Sequence, residues 1–413
     1  MPQRRVVVTG MGVLAPNGST IPQYWDALRS GTSGIDFITY FDTTDYSVKI
    51  AGELTDFQPL DFFDKKDSRK LDRFSMYGLV AAGEAIENAE IINAATPERT
   101  GVIIGSGIGG IGTFEDQHRI MVEKGPRRIS PFFIPKMIAN IAAGHLAIRW
   151  GFKGPNHVVV SACASGTDAI GQAFRAIQHG YADVMITGGT EASVSPMAVA
   201  GFANMKALST SNAIPATASR PFDLNRNGFV IAEGAGILVL EELSHALKRG
   251  ANILAEIGGY GATDDAFHVT QPAAGGAGAA VAMQMALTDA NMQPSEVDYI
   301  NAHGTSTPYN DKNETAAIKA VFGEHAYKLR VSSTKSMTGH SLGASGGLEA
   351  IAAVLAIQHQ LIPPTINLET TDPECDLNYV PNSAIKASVN TVISNSLGFG
   401  GHNAVLLIKR WAD

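Results

Sequence analysis

Cys163, His303 and His340 are the residues of this chain whose types and settings could do covalent chemistry. Cys163 stands where the run Val158-Val159-Val160 meets a stretch whose apolar residues Ile170, Ala173, Phe174 and Ile177 repeat with helical spacing. A thiol at such a junction faces the positive end of the helix, whose unpaired N–H groups favour thiolate over thiol. The small neighbours Ala162, Ala164, Ser165 and Gly166 leave room for a substrate. A lone cysteine in a strand is more often a buried, inert hydrophobe; the strand-to-helix elbow favours a nucleophile. His303, in Asn301-Ala302-His303-Gly304-Thr305-Ser306-Thr307-Pro308, and His340, in Lys335-Ser336-Met337-Thr338-Gly339-His340, each follow a strand-like run and border glycine. Either alone could be a satisfied structural residue. Two of them on strand-end loops, with one elbow cysteine, point to a site. Gly398-Phe399-Gly400-Gly401 adds a flexible loop able to bring backbone N–H groups to an oxyanion.

The elements that must position these groups are short β-branched runs, each ending in a small residue and leading into a helical stretch, the pattern of an α/β protein with buried parallel strands. One set of predicted strands is Val6 to Thr9, Val102 to Gly105, Val158 to Ala162, Val184 to Thr187 and Gly236 to Glu241. A second is Ile253 to Tyr260, Val297 to Ala302, Arg330 to Ser333, Thr391 to Asn395 and Ala404 to Lys409. The sets read as a degenerate repeat. The strand carrying Cys163 leads to a helix ending Ala176-Ile177-Gln178-His179, and the strand before Lys335 leads to one ending Ala356-Ile357-Gln358-His359. Two ordinary strand–helix units of similar composition are the competing reading. The halves divide near Arg249-Gly250-Ala251, giving units 1–250 and 251–413, with the reactive groups expected at the seam. The stretch Ala273 to Ala280 is read as a loop running into a helix.

At 413 residues, with 45% apolar and 17% charged residues, the chain can build two large cores and has little polar surface to cover them, so oligomer formation is expected. A net charge of −8 argues against general nucleic-acid binding. Met1 to Gly10 carries two arginines but passes at once into Val6-Val7-Val8 and glycine, which is no secretory leader. Ile231 to Leu240 is interrupted by Glu233 and falls short of the ~20 apolar residues of a membrane helix. A cytoplasmic protein is expected. Cys163 and Cys375 have no metal or disulfide spacing.

Gly10-Met11-Gly12-Val13-Leu14-Ala15 and Gly105-Ser106-Gly107-Ile108-Gly109-Gly110 match a dinucleotide-binding glycine pattern. The first runs into Pro16-Asn17-Gly18, and the second lacks a strand ending in an acidic residue about 20 positions on. Both are read as turns that let backbones pack closely.

In this order, Val6 to Gly10, Gly105 to Gly110, Gly125-Pro126-Arg127-Arg128, the cysteine elbow, Ser219-Arg220-Pro221-Phe222-Asp223 and Val331 to His340 resemble the β-ketoacyl-acyl carrier protein synthases of the thiolase superfamily. Within them the chain is most similar to the synthase II group of bacterial fatty-acid elongation, over essentially its whole length. The resemblance implies an α/β, thiolase-like fold of duplicated βαβαβαββ halves forming a five-layered α-β-α-β-α core. It implies that Cys163 accepts the acyl chain, that His303 and His340 donate hydrogen bonds to the malonyl thioester, and that Lys335, supported by Glu349, polarises the site. The N–H groups of Cys163 and Phe399 would hold the oxyanion, Phe399 would gate the acyl pocket, and Gly400 would border it. Thr305 and Thr307 would bind the phosphopantetheine arm, which arrives on the carrier protein, so no resident cofactor or metal is expected. Some relatives hold a monovalent cation near the segments matching Asn301 and Ser394-Asn395.

A Cys-His-Asn set would instead imply the initiating synthase, and a second active-site cysteine a thiolase. Leu397 and His402 depart from the residues usual in the family and stand near the gate. His402 is read as a loop residue packing on its own backbone. Lys65, Lys66, Arg69, Lys70, Arg127, Arg128 and Lys206 are candidates for docking an acidic acyl carrier protein, with an ordinary solvated charge run as the alternative. A homodimer is implied. A polyketide-type ketosynthase and a non-catalytic chain-length partner are the alternative functions.

Overall fold

The computed structural model describes residues 4–412, so Met1 to Gln3 of the opening segment lie outside the described residues. The strands that position the site are β1 (Val6–Leu14), β2 (Thr100–Gly105), β3 (Asn156–Val159), β4 (Val184–Glu191) and β5 (Gly234–Glu242), then β6 (Ala255–Asp264), β7 (Tyr299–Asn301), β8 (Arg330–Ser332), β9 (Thr391–Gly398) and β10 (His402–Lys409). All ten predicted strands are present. Their order across the sheet is β8-β7-β9-β10-β6-β1-β5-β4-β2-β3, so the arrangement of the first five strands repeats in the last five. Arg249 to Ala251 lies between β5 and β6.

The expected parallel sheet is in fact mixed. Strands β2, β3 and β4 are parallel, as are β7, β8 and β9, while β10, β6, β1 and β5 pair antiparallel between them. For β9 and β10 the reason is local: Gly398 pairs with His402, and so short a connection permits only a hairpin. The loop expected to be flexible is this tight turn, with Gly400 and Gly401 at positive φ.

Alternation along each strand divides the apolar residues between layers. On β5, Leu238 and Leu240 face an inner core and Ile237 and Val239 an outer one; on β10, Leu406 and Ile408 face inward and Val405 and Leu407 outward. Helices α1 (Arg73–Ala89) and α2 (Ile141–Trp150) cover the outer face of the first half, and α4 (Ala277–Asp289) and α5 (Pro308–Phe322) that of the second. Helices α3 (Ser165–Gln178) and α6 (Ser345–His359) fill the middle, where residues of both halves' strands meet in one core. The result is helix, sheet, helix, sheet, helix. The halves are stitched by a short pairing of Val6 to Val8 with Ile257 to Ala255.

Glycine sets the closest approaches. Gly10 and Gly12 lie inside β1, not in a turn as expected, and a Cβ on either would fall 2.1 or 2.0 Å from a carbonyl of α1. Where the inner helices begin, a Cβ on Gly166 would meet the Gly343 carbonyl at 2.7 Å, and one on Gly347 would meet the Gly236 carbonyl of β5 at 2.1 Å. Gly347→Ala is expected to destabilise the fold by at least about 1–3 kcal/mol, read as a lowered Tm, because rigid backbone is what the methyl would strike.

Candidate active site

The sequence stops β3 at Val159, earlier than expected, because Ser161 and Ala162 turn the chain into α3. Ala162 adopts φ 51°, a left-handed conformation that only a constrained L-residue keeps. Cys163 follows on a short 3₁₀ turn, 8% exposed, against one wall of a cavity of about 280 Å³. His303, His340, Thr305, Thr307 and Phe399 line the same cavity. Residues from distant parts of the chain thus converge, as the spacing of motifs requires.

Burial outweighs the helix end: the Cys163 thiol is pushed up to about 11, with the Lys335 ammonium and the backbone N–H groups of Phe399 and Cys163 acting against the rise. The expectation of a resting thiolate is therefore corrected by desolvation. Both N–H groups therefore stand close to the sulfur.

His303 and His340 stand edge to face, with ring centroids 5.4 Å apart. Burial first, then the nearby Lys335 ammonium, holds both well below the usual histidine range, so both rings are neutral at neutral pH. Lys335, 2% exposed, does not line the cavity; it stands behind it, paired with Glu349 and 3.4 Å from His303 Nδ1. An ammonium can only donate, so Nδ1 accepts and the proton of His303 resides on Nε2. Nδ1 of His340 is 2.9 Å from Ser345 Oγ, while its Nε2 is buried without a protein partner. Each ring therefore has one nitrogen engaged with the protein; the other carries the proton in His303 and is without a protein partner in His340.

Residues not singled out by sequence hold these groups in place. Glu314 accepts the N–H of His303 and of Gly304, both at 2.8 Å, and the Asn395 amide at 3.1 Å. Its signal was a polar stripe, Asp311, Glu314 and Thr315, on the buried face of α5. The glycine loop after β2 is treated alike: Glu191 accepts Gly107 N–H at 2.6 Å, Ile108 N–H at 3.1 Å and Gly343 N–H at 3.0 Å. The Ser219 hydroxyl donates to the Lys335 carbonyl at 2.7 Å, and Phe222 N–H to Asp311 at 2.8 Å, so that motif supports the site from below. Phe202, Phe229 and Leu342 add apolar wall.

Several expected site residues stand elsewhere. Glu349 acts only through Lys335 and does not touch the cavity. Gly400 is exposed and turned away, its N–H donating to the Val269 carbonyl at 2.7 Å, although Gly398, Phe399 and Gly401 line the wall. Leu397 lines the cavity. His402 opens β10, 3.5 Å from Asp264 and close over Gly400. Of the docking candidates Lys206 lies at the cavity; Lys65, Lys66, Arg69, Arg127 and Arg128 are exposed, and Lys70 pairs with Asp67 at 2.8 Å. Cys375 is buried in the outer core of the second half. Asn301 Oδ1, Ser394 Oγ and Asn395 Oδ1 are buried without partners, and Asn301 and Ser394 are register neighbours, in the segments where the resemblance places a monovalent cation in some relatives.

The model of the β-ketoacyl synthase N-terminal domain matches residues 3–246, and that of the C-terminal domain residues 254–369. The chain belongs to the β-ketoacyl synthase family. The synthase is 55% identical to 3-oxoacyl-[acyl-carrier-protein] synthase 2 of Staphylococcus aureus (strain COL), over 99% of each chain. It is 53% identical to the protein of that name from Synechocystis sp. (strain ATCC 27184 / PCC 6803 / Kazusa), again over 99% of each. A solved type II PKS ketosynthase, in complex with its acyl-carrier protein and bound to a hexaketide, is 35% identical with a TM-score of 0.92, covering 99% of this chain and all of its own. The fold is thiolase-like, and the protein is a condensing acyltransferase of fatty-acid elongation.

Because its pKa is raised, alkylation of Cys163 by iodoacetamide is expected to quicken about tenfold per pH unit through the neutral range, as the thiolate fraction grows. A rate that levels off near pH 7 would overturn the dominance of burial.

Proposed function

We propose that this synthase joins an acyl group delivered by acyl carrier protein to malonyl-acyl carrier protein by decarboxylative Claisen condensation. The products are 3-oxoacyl-acyl carrier protein, carbon dioxide and free carrier protein. The convergence of Cys163, His303 and His340 on one cavity carries the reading. Cys163 attacks the acyl thioester carbonyl, the N–H groups of Cys163 and Phe399 receive the oxyanion, and the pantetheine thiol leaves with the proton. The malonyl thioester oxygen then lies against the free nitrogens of His303 and His340. As the bond to the carboxylate breaks, its electron pair enters an enolate that these donors stabilise only once its charge appears. The enolate carbon attacks the acyl carbon and the Cys163 sulfur leaves. Neutral imidazoles suit this role, since loss of carbon dioxide generates the carbanion without a strong base.

Lys335, backed by Glu349, fixes the His303 tautomer; Thr305 and Thr307, whose hydroxyls are 2.9 Å apart, take the phosphopantetheine arm, and Phe399 gates the acyl pocket. No resident cofactor takes part. Carrier protein, the partner in the complex of the structural relative, docks on this reading at the basic residues Lys65, Lys66, Arg69, Lys70, Arg127, Arg128 and Lys206. A cytoplasmic setting is supported by the free thiols and by the absence, among described residues, of a helix long and apolar enough to cross a membrane. A homodimer is supported by the open edge strand β3, with Asn156 and His157 exposed and Val160 beyond it 57% exposed.

Cys163→Ala is expected to abolish the acyl-enzyme seen by mass spectrometry, while His303→Ala or His340→Ala slows malonyl decarboxylation by about 100- to 1,000-fold. An acyl-enzyme that survives without Cys163 removes the reading. For the assembly, sedimentation is expected at the mass of two chains, and charge reversal at Lys65 and Arg69 is expected to raise KM for acyl-carrier protein but not for small acyl thioesters. Equal losses with both substrates would discard the docking patch.

A further inference from the structure

The helix that begins at the nucleophile is tied to the other half of the molecule by a cluster that the chemistry above does not use. The Asp168 carboxylate, 9% exposed in the first turn of α3, accepts the Ser161 hydroxyl on Oδ2 and the Tyr260 hydroxyl on Oδ1, the latter at 2.6 Å. Ser161 opens the elbow. Its N–H donates to Ser165 Oγ at 3.0 Å, and the Ser165 hydroxyl donates to the Ala162 carbonyl at 2.7 Å, closing a ring of contacts around the left-handed Ala162. Tyr260 comes from β6. Its ring lies so close to Gly171 of α3 that a Cβ there would fall 2.3 Å from it. Its N–H donates to Asp289 at 2.9 Å, and Asp289 pairs with Arg175, one helical turn beyond Gly171, at 2.8 Å. The second half therefore grips α3 at its side and, through Asp168, at the elbow itself.

We propose that Asp168 is a positioning residue for the nucleophile. By joining Ser161 to Tyr260 it holds the Ser161-Ala162 elbow in its left-handed turn and keeps the Cys163 sulfur aligned with the Phe399 N–H. This rests on Cys163 being the acylated residue. Both contacts are hydroxyl-to-carboxylate bonds, one buried and one part-buried, the stronger kind and the costlier to leave unmade. The imidazoles are held by other groups: Glu314 and Lys335 for His303, Ser345 for His340. Acyl transfer and decarboxylation are thus aligned by separate supports, and only the first depends on Asp168.

The test uses Asp168→Asn, which removes the charge and turns one of the two acceptor oxygens into an NH2 group that can only donate, and Tyr260→Phe, which keeps the ring and removes one hydroxyl. Single-turnover transfer of an acyl group from acyl-carrier protein to Cys163 is expected to slow by about 10- to 100-fold in each, as for a displacement near 1 Å. Decarboxylation of malonyl-carrier protein is expected to stay within about twofold of the parent rate. The double variant is expected to be no slower than Asp168→Asn, because the two residues act as a unit. Parallel loss of both activities, additive loss in the double variant, or unchanged acyl transfer in Tyr260→Phe overturns the proposal. If Asp168→Asn does not fold, Tyr260→Phe decides alone. Mass spectrometry of the parent protein tests the underlying reading independently: an acyl group found elsewhere than on Cys163 would remove that reading whatever the variants do.

Discussion

Backbone contact between the beginnings of two buried helices is the constraint on which the site depends. Gly166 in the first turn of α3 lies against Gly343 and Gly347, and Gly346 of α6 against Thr167, where a Cβ would stand 2.2 Å from the hydroxyl. Any larger residue at these positions must push the helices apart. The elbow bearing Cys163 and the loop bearing His340 sit just before those two turns, so the separation of sulfur and imidazole is set by the contact. Since a displacement of about 1 Å can cost about 100-fold in rate, glycine here would serve the proposed chemistry as well as the packing.

Electrostatics then fit the groups to their tasks. Removing Lys335 and Glu349 from water costs more than an apolar pair of similar shape would, so the pair is a poor device for stability. What it supplies is direction: an ammonium that can only donate fixes which nitrogen of His303 is free, and its charge adds to burial in keeping both rings unprotonated. Buried imidazoles beside a cation remain donors over a wide span of pH.

Two buried carboxylates do for the loops what the lysine does for the ring. Glu191 occupies the N–H groups of the glycine loop after β2, and Glu314 those of the loop after β7. A row of backbone donors at a glycine-rich turn is otherwise a natural phosphate site. In this protein the anion is part of the chain. That is why a segment matching a nucleotide-binding pattern belongs to a condensing enzyme.

The ten strands predicted, the helix after Cys163 and the placing of Cys163, His303 and His340 at strand ends were legible from sequence, because alternation, helical spacing and turn residues act over a few neighbours. Strand direction in the middle of the sheet, the position of Gly10 and Gly12 inside β1, and the turn of Gly400 away from the cavity were not, since each depends on partners far along the chain. The supports of the site were hidden for the same reason: Glu314, Ser345 and Asp168 look like ordinary polar residues until folding brings their partners to them. Local spacing told which side chains stand at strand ends and at the elbow. Their protonation was set by folding, because desolvation of Cys163, His303 and His340 is a property of everything packed around them.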